Sequence, residues 1–197
     1  MSHYCVNCGA VLVPREIEGK MVEACPNDDF VLWRDPKVVT SVVVIEAGKI
    51  VLGLRDIEPG RGLWCLPGGF VNHDEDPVDA ARRECREEIG AEVEITRLLG
   101  VYHIAKSTAP SMVGVAYEAR LANGARLEPG AEMSAVDVYA EDSLPELAFP
   151  SHRWILEQYF KYRESREVAA LPPAGAAVPR ASRPSPARER SRSRQSR

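Results

Sequence analysis

The sequence has no uninterrupted run of about 18 apolar residues, which excludes a hydrophobic membrane-spanning helix. Its first residues, MSHYCVNCGA, lack the basic and apolar stretches of a secretory leader, so the cytoplasm is the expected compartment. No segment recurs at a fixed period, which sets aside solenoids and propellers. Cysteine is scarce and odd in number, five in 197 residues, and Cys5 and Cys8 form a CxxC pair. That usage argues against a disulfide framework and for a metal site. Cys65 and Cys85 fall within apparent secondary structure and are expected to act as small buried hydrophobes. The chain also lacks an overall basic excess, its net charge being −4. Residues 165–197 hold eight Arg and two Glu, a balance of +6 that leaves −10 for the rest. An acidic body suits a substrate that arrives with divalent cations and does not suit a body that grips long nucleic acid by its phosphates.

What is present divides into three parts. Residues 1–34 carry three of the cysteines and few helix signals. Residues 35–163 alternate strand-like and helix-like segments, enough for one ordinary domain. Residues 164–197 are rich in Pro, Ala, Ser and Arg and almost devoid of large apolar side chains. Such a segment cannot bury enough surface to offset its ordering entropy and is expected to be disordered.

Within the middle part, residues 38–46 and 49–55 read as strands joined at Ala47-Gly48. Residues 58–62 (EPGRG) form a loop, and LWCLPGG returns to strand before its glycines stop it. Further strands are expected at 92–102, 111–121 and 135–140. The clearest helix spans 77–89, with Asp76 as N-cap, Pro77 at its first position and Gly90 just past its end. Val78, Ala81, Cys85 and Ile89 give it an apolar stripe. A second helix is expected after Pro150, with Ser151 as N-cap and Trp154, Ile155, Gln158 and Tyr159 on one face.

Glu84, Glu87 and Glu88 stand at i, i+3 and i+4 of the first helix, so they share a face. Carboxylates that close repel one another unless a cation sits among them, and hard oxygen donors select magnesium or manganese. Arg83 lies four residues before Glu87 and can pair with it across one turn. On charge alone a solvated acidic face is the ordinary reading. The surrounding pattern changes that. Residues 69–91 read GFVNHDEDPVDAARRECREEIGA. This resembles the signature of the Nudix hydrolase family, G-x5-E-x7-R-E-U-x-E-E-x-G-U, with U an aliphatic residue. Gly69, Glu75, Arg83, Glu84, Glu87, Glu88 and Gly90 occupy the fixed places; Cys85 and Ala91 depart from the usual bulk at the U places but remain apolar.

The resemblance implies an α/β (α+β) Nudix fold, a mixed β-sheet sandwiched between helices. It implies that Glu84, Glu87 and Glu88, helped by the main-chain carbonyl of Gly69, hold Mg2+ (or Mn2+), while Glu75 and Arg83 brace loop and helix. Hydrolysis of a pyrophosphate bond then needs a proton acceptor, and the candidates are Glu88 and Glu132. Arg55 and Arg61 flank the loop leading to the box and are candidate contacts for phosphate or ribose, and Trp64 or Phe149 for stacking on a base; the alternatives are a surface arginine, favoured for Arg61, and core packing, favoured for Trp64 and Phe149.

The front end, YCVNCG followed by ACPNDD, looks like a zinc ribbon whose second knuckle reads Cys25-Pro26-Asn27-Asp28. Two readings stand side by side: zinc held by Cys5, Cys8, Cys25 and Asp28 (or Asp29 or His3), or a ribbon that no longer binds metal. A ribbon before this box, with RDIEPGRGLWCLPGGF and LPELAFPSHR, resembles ribbon-Nudix proteins acting on ADP-ribose, FAD or related dinucleotides. The expected reaction is cleavage of such a small-molecule nucleotide to a nucleoside monophosphate and a phosphorylated product. Two alternatives remain, RNA 5′-end pyrophosphohydrolysis aided by the basic tail and nucleotide sensing without catalysis. A homodimer is compatible with the family, and nothing in the residues fixes an interface.

Overall fold

In the computed structural model, residues 2–104 and 111–165 are described. The basic segment 166–197, with its expected disorder and RNA contact, lies outside the described residues.

The front end folds as a three-stranded antiparallel sheet, β1 (Val13–Ile17), β2 (Lys20–Ala24) and β3 (Val31–Leu32), in the order β1-β2-β3. These strands do not show in the sequence because VPREI and KMVEA expose residues on both faces, so polar and apolar positions do not alternate. Cys5, Leu12 and Cys25 form their own small core, against which Ala10, Phe30 and Leu32 pack.

The second sheet contains β4 (Lys37–Glu46), β5 (Lys49–Arg55), β6 (Trp64–Cys65), β7 (Val93–Ile104), β8 (Met112–Leu121) and β9 (Met133–Tyr139). Its path runs β6-β5-β4-β8-β7, and β9 also pairs with β5. β4 and β8 are parallel and the remaining pairs antiparallel, so the sheet is mixed. Two helices cover it, α1 (Pro77–Ile89) and α2 (Pro150–Ser165). Strand alternation divides the core between them. Val42, Val44, Val51, Tyr117 and Ala119 face Ala81, Cys85 and Ile89 of α1. Val43, Ile50, Leu52 and Ala116 face Ile155, Leu156 and Tyr159 of α2. The expected sandwich of a mixed sheet between helices is what forms. Among the described residues no helix is long and apolar enough to cross a membrane.

One local feature positions the site. β4 and β5 pair only at their hairpin end, through Ile45↔Ile50 and Glu46↔Lys49, and then part. The first half of β4 bonds instead to the segment after β6. Val42 N–H donates to the Pro67 carbonyl (2.8 Å), Thr40 N–H to that of Gly69 (2.8 Å), and Val71 N–H to that of Val38 (3.0 Å). The Leu66-Pro67-Gly68-Gly69 run is thereby wedged into a fork of the sheet.

α2 differs from its expectation in two details. It begins at Pro150, so Ser151 lies inside its first turn, and the Phe149 carbonyl accepts from His152 N–H at 3.0 Å. Its buried stripe is His152, Ile155, Leu156 and Tyr159, whereas Trp154 is 45% exposed and meets Tyr102 at the edge of the sheet. Leu156, one turn from His152 and beside Ile155 and Tyr159, completes the face that packs on Val43, Ile50 and Leu52, so the buried stripe lies to the Leu156 side of Ile155 rather than the Trp154 side.

His152 pins this helix to the wedged segment: its Nδ1 accepts the Leu66 N–H at 3.0 Å, which places the ring proton on Nε2. Burial, helped by the positive charge of Arg55, pushes the imidazole pKa down to about 3. Between that value and the ordinary value of about 6.5, the unfolded chain holds the proton and the folded chain does not. The contribution to stability is therefore complete above about 6.5 and is lost as pH falls toward 3. A urea midpoint measured from about pH 7 down to about pH 4 should fall less steeply for His152→Gln than for the parent chain. Equal slopes would contradict the assignment.

Candidate active site

α1 carries most of the chemistry and begins where its punctuation predicts. Asp76 accepts the Val78 N–H at 2.8 Å, and Pro77 fills the first helical place. At the other end Gly90 adopts the left-handed conformation (φ 67°) that closes a helix. The last carbonyls are capped by a distant loop: Glu128 N–H donates to Ile89 O and Gly130 N–H to Glu88 O, each at 3.0 Å.

Arg83 organises the charged face. Its Nε and Nη2 bind the two carboxylate oxygens of Glu75 at 2.8 and 2.9 Å. Its Nη1 reaches Glu84 at 2.6 Å and Glu87 at 2.9 Å, and Nη2 also donates to the Phe70 carbonyl at 3.0 Å. These bonds to Arg83 hold the Glu75 carboxyl down to about 2. Arg83 thus links Glu75 and the Phe70 carbonyl of the loop to Glu84 and Glu87 of α1.

Glu84 rests against the main chain of Gly69, where an added Cβ would lie 2.6 Å from its carboxylate. Burial raises the pKa of Glu84 despite Arg83. Glu87 is the exposed member of the set. Glu88 is 4% exposed and accepts the Gly68 N–H at 2.8 Å. Burial pushes the Glu88 carboxyl up to about 8; the Gly68 bond and Arg55 oppose this, and Glu84 and Glu132 add to it. The three box carboxylates thus flank the Gly68-Gly69 wedge without meeting at one point, Glu84 and Glu87 turning to Arg83 and Glu88 to Gly68.

Glu132 joins them from far along the chain. Its carbonyl accepts the Asp56 N–H at 2.9 Å, and its charge acts on both Glu84 and Glu88. Gly130 makes this approach feasible, since any Cβ there would fall on the Glu87 carbonyl oxygen.

Arg55 is buried, donating from Nε to the Pro59 carbonyl at 2.8 Å and lying 5.1 Å over the Phe149 ring. Trp64 is partly buried, edge-on to Tyr139 with ring centroids 4.9 Å apart. Phe149 also meets the His152 ring edge-on. Arg61 is on the surface, paired with Asp56 at 2.7 Å. Sequence reasoning missed Phe70, whose ring is 52% exposed beside the box, with Lys37 Nζ 5.4 Å from its centroid. An aromatic within a glycine-rich loop was the available signal.

Cys5, Cys8, Cys25 and Asp28 form a second constellation, each offering a ligand atom within 4.8 Å of the others. His3 does not join it, its Nδ1 lying 2.9 Å from Glu23. Cys65 and Cys85 are buried and free, as expected of small hydrophobes, and burial pushes the Cys65 thiol up to about 12.

Comparison with known proteins gives matches along this domain. The NUDIX domain family matches residues 35–159. The ADP-ribose pyrophosphatase of Methanocaldococcus jannaschii is 29% identical over 133 residues, covering 67% of this chain and 78% of that protein. A NUDIX hydrolase from Nitrosomonas europaea superposes with a TM-score of 0.74 at 30% identity, covering 84% of this chain and 94% of that one. That share exceeds what residues 35–159 supply, so the likeness extends beyond them. An ADP-ribose pyrophosphatase from Streptococcus suis superposes with a TM-score of 0.54 at 28% identity, covering 68% and 94%.

Proposed function

Because this chain belongs to the NUDIX family, being a pyrophosphohydrolase of nucleotide derivatives, we propose that it cleaves ADP-ribose or an FAD-like dinucleotide in a magnesium-dependent reaction. The products are a nucleoside monophosphate and a phosphorylated partner. The observation that carries the reading is the seating of Glu84 against Gly69 and of Glu88 on the Gly68 N–H, with the charge of Glu132 acting on both. The relatives from M. jannaschii and S. suis, both ADP-ribose pyrophosphatases, support the substrate class.

The donor set fits a hard divalent cation. It consists of carboxylates and one main-chain carbonyl, with no thiol or imidazole among them. Two of the carboxyls, on Glu84 and Glu88, are raised by burial among like charges, an arrangement that a cation would relieve. Glu84, Glu87, Glu88 and the Gly69 carbonyl would hold it. When bound, such an ion supplies charge neutralisation on the phosphates and a lowered pKa for water.

The protein's own groups do the rest. Arg83 keeps Glu84 and Glu87 in place and ties them, through Glu75 and the Phe70 carbonyl, to the loop. Gly68 N–H holds Glu88 toward the wedge. Glu88 and Glu132 are the two carboxylates able to accept the proton of the attacking water, as in-line displacement on phosphorus requires. Arg55 places a buried positive charge that lowers the Glu88 pKa and so favours its ionised form. Trp64 packs edge-on against Tyr139, and Arg55 Nε ties the 56–62 loop through the Pro59 carbonyl.

Phe70 offers its exposed face to a base or ribose next to the box, with Lys37 at hand for phosphate. Phe70→Ala should raise KM for the dinucleotide roughly tenfold, at nearly constant kcat, the signature of lost ground-state binding. An unchanged KM would remove Phe70 from the binding face. A panel of nucleoside diphosphate derivatives with Mg2+, scored by product identity, tests the substrate class. Release of a nucleoside monophosphate from ADP-ribose or FAD supports it, and turnover confined to nucleoside triphosphates or RNA 5′ ends replaces it.

A further inference from the structure

We propose that Cys5, Cys8, Cys25 and Asp28 hold one structural zinc ion through three thiolates and a single carboxylate. The inference stands independently of the hydrolase chemistry, because it concerns residues 2–34 alone.

Cys8 Sγ and Cys25 Sγ are 3.4 Å apart, and Cys5 Sγ lies 3.3 and 3.6 Å from the two Asp28 oxygens. Tetrahedral zinc with ordinary bond lengths separates two sulfurs by about 3.8 Å and a sulfur from an oxygen by about 3.5 Å. The four ligand atoms lie within 4.8 Å of one another, close enough for one ion to separate them to those spacings with small side-chain shifts.

The two knuckles also share an internal two-fold likeness. Cys5-Val6-Asn7-Cys8 and Cys25-Pro26-Asn27-Asp28 repeat one pattern, with Asp28 in the place of Cys8. In each half the first cysteine's N–H donates to the carbonyl five residues on: Cys5 to Ala10 and Cys25 to Phe30, both at 2.8 Å. In each half, too, the N–H two residues on donates to that cysteine's sulfur: Asn7 to Cys5 at 3.4 Å and Asn27 to Cys25 at 3.3 Å. Amides aimed at sulfur favour the thiolate that a metal requires and fix its direction. The second knuckle is therefore structurally intact, and only its last ligand has changed chemistry. That ligand is itself oriented: Phe30 N–H donates to Asp28 Oδ1 at 2.8 Å, which leaves Oδ2 toward Cys5.

The buried apolar core of this module is Cys5, Leu12 and Cys25, with Ala10, Phe30 and Leu32 against it. Units of fewer than about 40 residues rarely support themselves on a core so small without a metal or a disulfide. All its cysteines are free thiols. Carboxylate is an accepted zinc ligand, and three sulfurs make zinc the fitting cation rather than magnesium or calcium.

The test uses the full chain purified without added zinc, read by elemental analysis, and then loaded with Co2+ as a spectroscopic stand-in. The expected results are one zinc per chain, tetrahedral Co2+ bands and a thiolate-to-cobalt charge-transfer band. Asp28→Cys should keep the metal, strengthen that band and hold zinc roughly tenfold or more tightly against a chelator. Cys8→Ser should release zinc to the same chelator more readily. A well-folded, reduced chain that takes up no zinc when it is supplied would overturn the proposal. So would a Cys8–Cys25 disulfide in freshly prepared protein, or an Asp28→Cys variant whose zinc affinity and cobalt spectrum match the parent.

Discussion

Glu88→Gln should lower kcat about 10²–10⁴-fold while the fold survives. Gln has the shape of Glu and keeps an oxygen to accept the Gly68 N–H, which Glu88 now binds at 2.8 Å. What it lacks is a negative charge for a hard cation and a site for a proton. Survival of the fold follows from the same burial that raises the carboxyl to about 8. The surroundings disfavour the ionised form, so a neutral amide fits there without that penalty. The measurement is steady-state turnover of ADP-ribose with Mg2+, alongside thermal unfolding of both proteins. Glu132→Gln run in parallel assigns the proton acceptor, which is the residue whose loss also removes the fall of kcat toward acid pH. Near-normal turnover of Glu88→Gln would take Glu88 out of the mechanism.

Gly130→Ala should produce the largest loss of stability from the smallest change of side chain. The added methyl would fall on the Glu87 carbonyl oxygen, so the loop has to withdraw. Withdrawal breaks the Gly130 N–H bond to Glu88 O and strains the Glu128 N–H bond to Ile89 O, leaving carbonyls at the end of α1 unpaired. The contact is with rigid backbone, so the cost is about 3 kcal/mol, the upper end for overpacking. For a domain of this size that corresponds to a fall in Tm of about 6–12 °C. Turnover should fall as well, because Glu132 travels with the loop. Thermal unfolding and kcat together check this; a Tm unchanged within about 2 °C would mean that the loop has slack the structure does not show.

These two residues show how unevenly the protein is written in its sequence. Glu88 was legible at once, because α1 is marked locally at both ends by Asp76, Pro77 and Gly90, and its three box carboxylates follow helical spacing. The strands of the large sheet were legible for a related reason, since runs such as KVVTSVVVIE are apolar enough to be buried on both faces. Gly130 carried no such mark. Its importance arises from a contact with a helix some forty positions away, and one glycine in a polar loop looks like any other. Glu132 was reachable only through the family resemblance.

The front sheet was missed because exposed strands with charged residues on both faces leave no periodic trace. Trp154 and Leu156 flank Ile155 at equal angles on the helix, so spacing alone does not decide which of them turns to the core; packing on β4 and β5 chooses Leu156. Phe70 was passed over for Trp64 and Phe149, larger or nearer to a recognisable segment, and both of those pack inward. Asp28 is the instructive intermediate. The sequence placed it beside the cysteines and left its role open, and it took the matching hydrogen bonds of the two knuckles to show that the geometry of the second is whole.

The central claim is that Glu84, Glu87 and Glu88 gather a divalent cation beside the Gly68-Gly69 wedge. Electron paramagnetic resonance of Mn2+, titrated into the zinc-replete chain with a slowly hydrolysed ADP-ribose analogue present, tests it directly. The account predicts saturable binding in the parent that weakens at least tenfold in Glu84→Gln and in Glu88→Gln. Binding of equal strength in all three proteins, or none in a folded parent chain, would contradict it.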